Sequence, residues 1–142
     1  FVAVERELAA CPLREQADAV VIDMHAEATS EKQAMAHFVD GRASLVVGPH
    51  AHVPPADHMI LPGGTAYQTD AGMCGDYGGV IGFTPASPIA RFTRKLPTER
   101  LSPMDGEGTM CGVFVTINPT TGHAISTQPM RCGGRLMQTT LS

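Results

Sequence analysis

Ala17-Asp18-Ala19-Val20-Val21-Ile22-Asp23 and Ala43-Ser44-Leu45-Val46-Val47 are short, nearly continuous apolar runs rich in β-branched residues. That is the pattern of strands buried on both faces of a sheet. Between them, Ser30 followed by Gln33 fits a capping box, Met35, Phe38 and Val39 make an apolar stripe, and Asp40-Gly41 offers a left-handed stop. Strand, helix and strand at this spacing predict a βαβ unit with parallel strands and a right-handed crossover. The fold class read from this stretch is α/β.

Working outward, Val2 to Cys11 has helical apolar spacing and meets Pro12, which disfavours helical geometry in the residue before it. Downstream, Pro54-Pro55 and Pro62-Gly63-Gly64 bracket a loop, and Thr65 to Asp70 reads as a third strand. Gly72 to Gly82 is glycine-rich and irregular. Pro88 suits a helix start, with Ile89, Phe92 and Leu96 on one face and Pro97 as the stop. Thr109 to Ile117 and His123 to Met130 alternate polar with apolar around Asn118-Pro119-Thr120-Thr121-Gly122, which predicts an antiparallel hairpin.

Composition narrows the class of function. A chain of 142 residues with 43% hydrophobic residues makes one domain with a real core. Its net charge of -4 gives no broad attraction for a polyanion, so an extended nucleic-acid surface is excluded while a small phosphorylated substrate is not. Cys11, Cys74, Cys111 and Cys132 show no C-x-x-C pair or framework spacing and read as reduced thiols. No apolar run approaches the ~18 residues of a membrane helix. A soluble, cytoplasmic protein is expected. The start at Phe1, running straight into a helical pattern, reads as a piece cut from something longer.

Three of the six histidines, His25, His50 and His52, lie just past the C-terminal ends of the two βαβ strands. Loops leaving parallel strands emerge on one sheet edge, where α/β folds bind ligands, so these side chains are expected to converge. Imidazole takes zinc, iron, manganese or copper, and histidines at i and i+2 in extended backbone point the same way. A single loop histidine is more often a solvated or hydrogen-bonded side chain. Three converging ones, flanked by Asp23, Glu27 and Asp57, point to a metal site, with Asp23 and Glu27 as candidate partners that fix a histidine tautomer. Asp23 equally suits a turn cap. His37, His58 and His123 read as surface or packing residues.

The stretches Asp23-Met24-His25-Ala26-Glu27-Ala28-Thr29-Ser30-Glu31-Lys32, Val47-Gly48-Pro49-His50-Ala51-His52-Val53, Ile60-Leu61-Pro62-Gly63-Gly64-Thr65-Ala66-Tyr67 and Thr69-Asp70-Ala71-Gly72-Met73 occur in order. They resemble the YmdB-type bacterial metallophosphoesterases of the calcineurin-like superfamily. The resemblance covers nearly the whole chain and is densest from Asp23 to Gly82. It implies that residues 1–142 are the C-terminal portion of one αββα sandwich domain: a βαβ unit, a third strand, a helix and a C-terminal hairpin. It further implies a dinuclear centre of two divalent ions, iron or manganese with zinc as the other candidate, that hydrolyses phosphodiesters such as 2',3'-cyclic nucleotides. By the same resemblance His25 and His50 bind one ion and His52 the other. The acidic ligands, among them a bridging Glu, and the histidine acting as acid are implied to come from an N-terminal half. No Asp-x-Gly or Gly-Asn-His stretch precedes His25 here. Pro49 and Ala51 stand where the family more usually has Thr, which affects packing rather than ligation.

Two other readings stay open at the level of sequence. Three histidines alone suit a mononuclear zinc site with an open position. Alternatively, the chain is a non-catalytic scaffold or binding module. Metal identity, physiological substrate and oligomeric state, a homo-oligomer included, are not fixed by the residues.

Overall fold

The structure is a computed structural model that describes residues 1–94 and 99–140. Its elements are α1 (Val2–Ala10), β1 (Val21–Asp23), α2 (Thr29–Phe38), β2 (Leu45–Val47), β3 (Met59–Ile60), β4 (Ala66–Gln68), α3 (Ala86–Arg94), β5 (Met110–Ile117) and β6 (Ala124–Cys132). The architecture is mixed α/β. A four-stranded sheet runs in the order β1-β2-β4-β3, and β5 and β6 form a separate hairpin. β1, β2 and β4 are parallel, and β3 closes antiparallel on β4.

Register explains the core. Ile22, Val46 and Tyr67 are successive partners across the three parallel strands, so they project from one face. On that face they meet Leu8 of α1 and Met35, Ala36 and Val39 around α2, with Ala43 and Leu61 completing the cluster. Val46 and Val39 are fully shielded. Burying side chains of this size stabilises by roughly 1.5–3 kcal/mol each. The helices are joined at the surface by Glu5, which accepts from Arg42 Nη1 at 2.8 Å, and by the edge-to-face pair Phe1 and Phe38.

The opposite face is covered unevenly. Ala66 and Gln68 of β4 are fully buried there, where β6 lies against β3 and β4. Cover is thinner over β1. Val21 is 63% exposed, and the burial of β1 alternates rather than being continuous. The expectation that the first strand is buried on both faces is therefore corrected: within this chain β1 is an edge strand with one bare face. The apolar run that suggested double burial is real, but the residues on its second side, Val21 and Asp23, are exposed in this chain.

Other elements are shorter than their sequence pattern. The two βαβ strands begin at Val21 and Leu45 rather than at Ala17 and Ala43, because Ser44 and Val20 hold the lead-in segments by their own bonds, Ser44 N–H to Val20 O at 2.8 Å and Val20 N–H to Ser44 Oγ at 3.2 Å. β4 starts after Thr65, whose hydroxyl is spent on Ala43 O at 2.7 Å. The capping box at Ser30 does not form. α2 begins two residues earlier than that cap requires, at Thr29, with extended Ala28 as its N-cap and no side-chain cap. Gly41 does take the left-handed conformation, φ +82°, but the preceding Asp40 reaches across to the Gly63 and Thr65 amides at 2.7 and 3.2 Å. β3 lies inside the segment read as a loop; two residues are too few to show a period. α3 is present, while Leu96 and Pro97, read as its last contact and its stop, lie outside the described residues.

The two-sided difference in cover has a measurable consequence. Met35→Ala, at a site 1% exposed, should cost about 2–5 kcal/mol by urea unfolding. Val21→Ala, on the bare face, should stay within about 0.5 kcal/mol. Equal losses would show that the bare face is packed in solution.

Candidate metal centre

β1 and β2 run parallel, and Met24 N–H extends their ladder by donating to Val47 O at 2.8 Å. Both strands therefore release their following residues at one edge. There the imidazoles of His25 and His50 meet edge to face, with centroids 5.1 Å apart. His25 Nε2 lies 3.1 Å from His50 Nδ1, and His50 Nε2 lies 2.9 Å from Glu27 Oε2. A carboxylate on one ring nitrogen draws the proton to that side and leaves the other nitrogen with a free lone pair. In His50 that nitrogen is Nδ1, the one facing His25.

This donor set fits a cation. Two nitrogens bound to one tetrahedral ion stand ~3.3–3.4 Å apart for metal–nitrogen bonds of about 2.0–2.1 Å. The pair needs only a small opening to match. Borderline ions such as iron and zinc suit imidazole, while manganese leans more on oxygen ligands such as carboxylates. Among the described residues, however, no group of three or more His, Cys, Asp or Glu side chains is arranged to hold a metal ion by itself. Within this chain the cluster consists of two imidazoles and one carboxylate.

The backbone of the Gly48-Pro49-His50-Ala51-His52 loop is set from below by Asp70. This residue is 1% exposed and accepts from the amides of His50 at 2.9 Å, His52 at 3.2 Å and Gly72 at 2.8 Å. Gln68 Nε2 donates to the Asp70 carbonyl at 2.7 Å and fixes the turn after β4. Position 48 must be glycine: a Cβ there would come within 2.8 Å of Lys32 Cγ and 2.9 Å of the Met24 carbonyl oxygen.

His52 differs from the expectation in conformation. Its φ is +63°, so the His50-Ala51-His52 segment is not extended and the rule that i and i+2 point alike does not hold across it. The structure brings His25, His50 and Glu27 together. The His52 imidazole is exposed and makes no hydrogen bond to another described residue, while its backbone is tightly held: the carbonyl accepts from Tyr77 Oη at 3.0 Å and from the Met73 amide at 3.2 Å. Burial, helped by the neighbouring Cys111 thiol, pushes the Tyr77 phenol above its ordinary pKa, so it stays protonated as a donor.

The remaining candidates fall elsewhere. Asp23 is exposed, and its side chain makes no hydrogen bond or ion pair with another described residue. Asp57 bonds the Thr69 amide at 3.2 Å and the Thr69 hydroxyl, supporting the end of β4. His37 is exposed on α2, and His58 Nδ1 is buried without a partner among the described residues. His123 Nε2 contacts Gly41 O at 3.0 Å and pins the hairpin to the loop between α2 and β2. Asp70 and Tyr77 are not singled out by the sequence pattern. An acid at the end of a predicted strand and a tyrosine in a glycine-rich segment are the weak cues that point to them.

Known proteins share this arrangement of sequence and fold. The family described as YmdB-like protein matches residues 1–130. The chain is 49% identical over 106 residues to a 2',3'-cyclic-nucleotide 2'-phosphodiesterase of Bacillus subtilis (strain 168), covering 75% of this chain and 40% of that protein. It superposes with a TM-score of 0.83 and 38% identity on a crystal structure of a hypothetical protein from Thermus thermophilus, covering 95% of this chain and 51% of that one. A crystal structure of a novel phosphatase from Mycoplasma pneumoniae gives 0.83 and 34%, covering 94% and 46%. The chain thus spans about half the length, or less, of these relatives.

Asp70→Asn keeps the side chain's size but removes its charge and one acceptor oxygen. Three amides depend on that carboxylate, so the variant should lose about 1.5–3 kcal/mol of stability. Hydrogen exchange at the His50 and His52 amides should accelerate well beyond that of the amides in β5. Unchanged exchange at those two amides would show that the loop does not depend on Asp70.

Proposed function

The chain belongs to the YmdB-like protein family, and from that membership together with the His25, His50 and Glu27 arrangement we propose that it is the histidine-bearing, C-terminal portion of a metal-dependent phosphodiesterase domain. The substrate class is small phosphodiesters of the 2',3'-cyclic nucleotide kind, the substrate named for the Bacillus subtilis relative. Two divalent ions, iron or manganese, are the cofactors, with His25 and His50 serving one and His52 the other. The observation that carries this reading is the 3.1 Å approach of two ring nitrogens, with the Glu27 carboxylate 2.9 Å from the other nitrogen of His50.

When bound, such ions polarise a phosphoryl oxygen and make a water acidic enough to act as hydroxide near neutral pH. This chain's own residues do the preparatory work. Glu27 fixes the His50 tautomer, and Asp70 holds the loop that presents His50 and His52. The acidic ligands and the proton donor come from outside residues 1–142. Support for that division is the incomplete donor set, the bare face of β1 and the partial cover of the relatives' length. A mononuclear three-histidine site gains nothing from the geometry, since the His52 ring is not hydrogen-bonded into the pair. Free cysteines throughout the described residues suit a reducing compartment such as the cytoplasm.

The test compares His50→Ala with His123→Ala in the complete protein, assayed on a 2',3'-cyclic nucleotide and a chromogenic phosphodiester with manganese, alongside metal analysis. His50→Ala should lose bound metal and at least about 100-fold in turnover, a loss larger than that from disturbing a ligand's supporting partner. His123→Ala should weaken the hairpin's attachment but keep its metal. Residues 1–142 alone should show no metal-dependent turnover near that of the complete protein. Equal, mild effects of both substitutions, or full activity of the isolated chain, would overturn the proposal.

A further inference from the structure

Arg14, His52 and Ile81 are the non-glycine residues with positive φ among the described residues, and His52 alone of these stands at the candidate metal centre. A left-handed conformation costs a residue with a Cβ roughly 1–2 kcal/mol, so it persists where surrounding contacts over-determine it. At His52 those contacts come from two sides. Asp70 takes the amide at 3.2 Å, and the Tyr77 hydroxyl, 3.0 Å away, donates to the carbonyl. The same hydroxyl accepts from the Met73 amide at 2.9 Å, while Met73 N–H also reaches His52 O at 3.2 Å. The hydroxyl also lies 3.1 Å from the Met73 carbonyl; the His52 carbonyl is the nearer acceptor for its single proton, and through it the phenol closes a small ring of hydrogen bonds. Space for it exists because position 72 is glycine: a Cβ there would stand 3.0 Å from the Tyr77 oxygen.

We propose that Tyr77 is a positioning residue for His52: its hydroxyl, bridging the His52 carbonyl and the Met73 amide, holds the left-handed turn and so governs how tightly the His52-dependent ion is bound. This rests on the reading of His52 as a ligand given above. His50 differs in that its ring already has a partner, Glu27, 2.9 Å from Nε2. The His52 ring has no described hydrogen-bond partner, so the orientation of its Cα–Cβ bond is set by the backbone. A supporting group that acts on a ligand is worth about 10–100-fold in metal affinity.

Tyr77→Phe keeps the ring and removes the hydroxyl. In the metal-free complete protein, hydrogen exchange at the Met73 amide should accelerate, a readout that requires no metal and no turnover. In manganese titrations the His52-dependent ion should bind at least about 10-fold more weakly while the other ion is unaffected. In a His52→Ala background, Tyr77→Phe should add no further loss of affinity. If His52→Ala leaves two manganese ions bound as tightly as in the unaltered protein, the ligand reading of His52 fails and this proposal fails with it. If His52→Ala weakens one ion but Tyr77→Phe leaves both affinities intact, or weakens them equally with and without His52, the ligand reading survives and the role of Tyr77 is overturned.

Discussion

The Asp70 carboxylate is shielded from water and surrounded by three backbone N–H groups, two of them belonging to His50 and His52. Burying a carboxylate is costly unless its oxygens are satisfied, and here charge-assisted bonds to amides satisfy them. The consequence is mechanical. β4 ends two residues before Asp70, and the histidine loop leaves β2, so one side chain couples the ends of two adjacent parallel strands. Without that coupling, a loop containing Gly48, Pro49 and a left-handed His52 has little regular bonding of its own. The histidines are placed by an acid that never touches their rings.

Much of the fold was legible because its periods were strong. The β-branched runs around Val21 and Val46 identify parallel strands, and the long alternation on either side of Asn118 identifies the hairpin, whose turn is closed by Asn118 Oδ1 accepting from Thr120 and Thr121. What stayed hidden was tertiary. The start of α2 departs from its sequence pattern because a capping box depends on where the chain enters the helix, and the entry at Ala28 lies upstream of Ser30. β3 is a strand only because β4 offers it an edge. Val21 looks like a core residue in sequence and is exposed in this chain because burial depends on what packs there.

The site divides in the same way. The convergence of His25 and His50 follows from topology, since parallel strands release their loops on one edge. That Glu27 would reach the far nitrogen of His50 was visible only as proximity in sequence. The left-handed turn at His52 left no cue: histidine is not a residue that signals positive φ as strongly as glycine does, and the groups enforcing it, Asp70 and Tyr77, lie well downstream in sequence. Cooperation between backbone groups has no period to read.

The two loops also differ in what supports them. β4, which carries Asp70 at its exit, is covered by helices on one face and by the hairpin on the other. β1, which carries His25 at its exit, has a bare second face and one strand neighbour. His50 thus stands on the rigid side of the sheet and His25 on the side whose packing is incomplete within this chain. The bond between their rings crosses that boundary. Any structure that packs on Val21 restrains the strand leading to His25, and through the 3.1 Å ring contact it also restrains the pair. Covering the sheet and restraining the histidine pair are then linked, because Val21, which lacks cover, and His25 are on the same short strand and its exit.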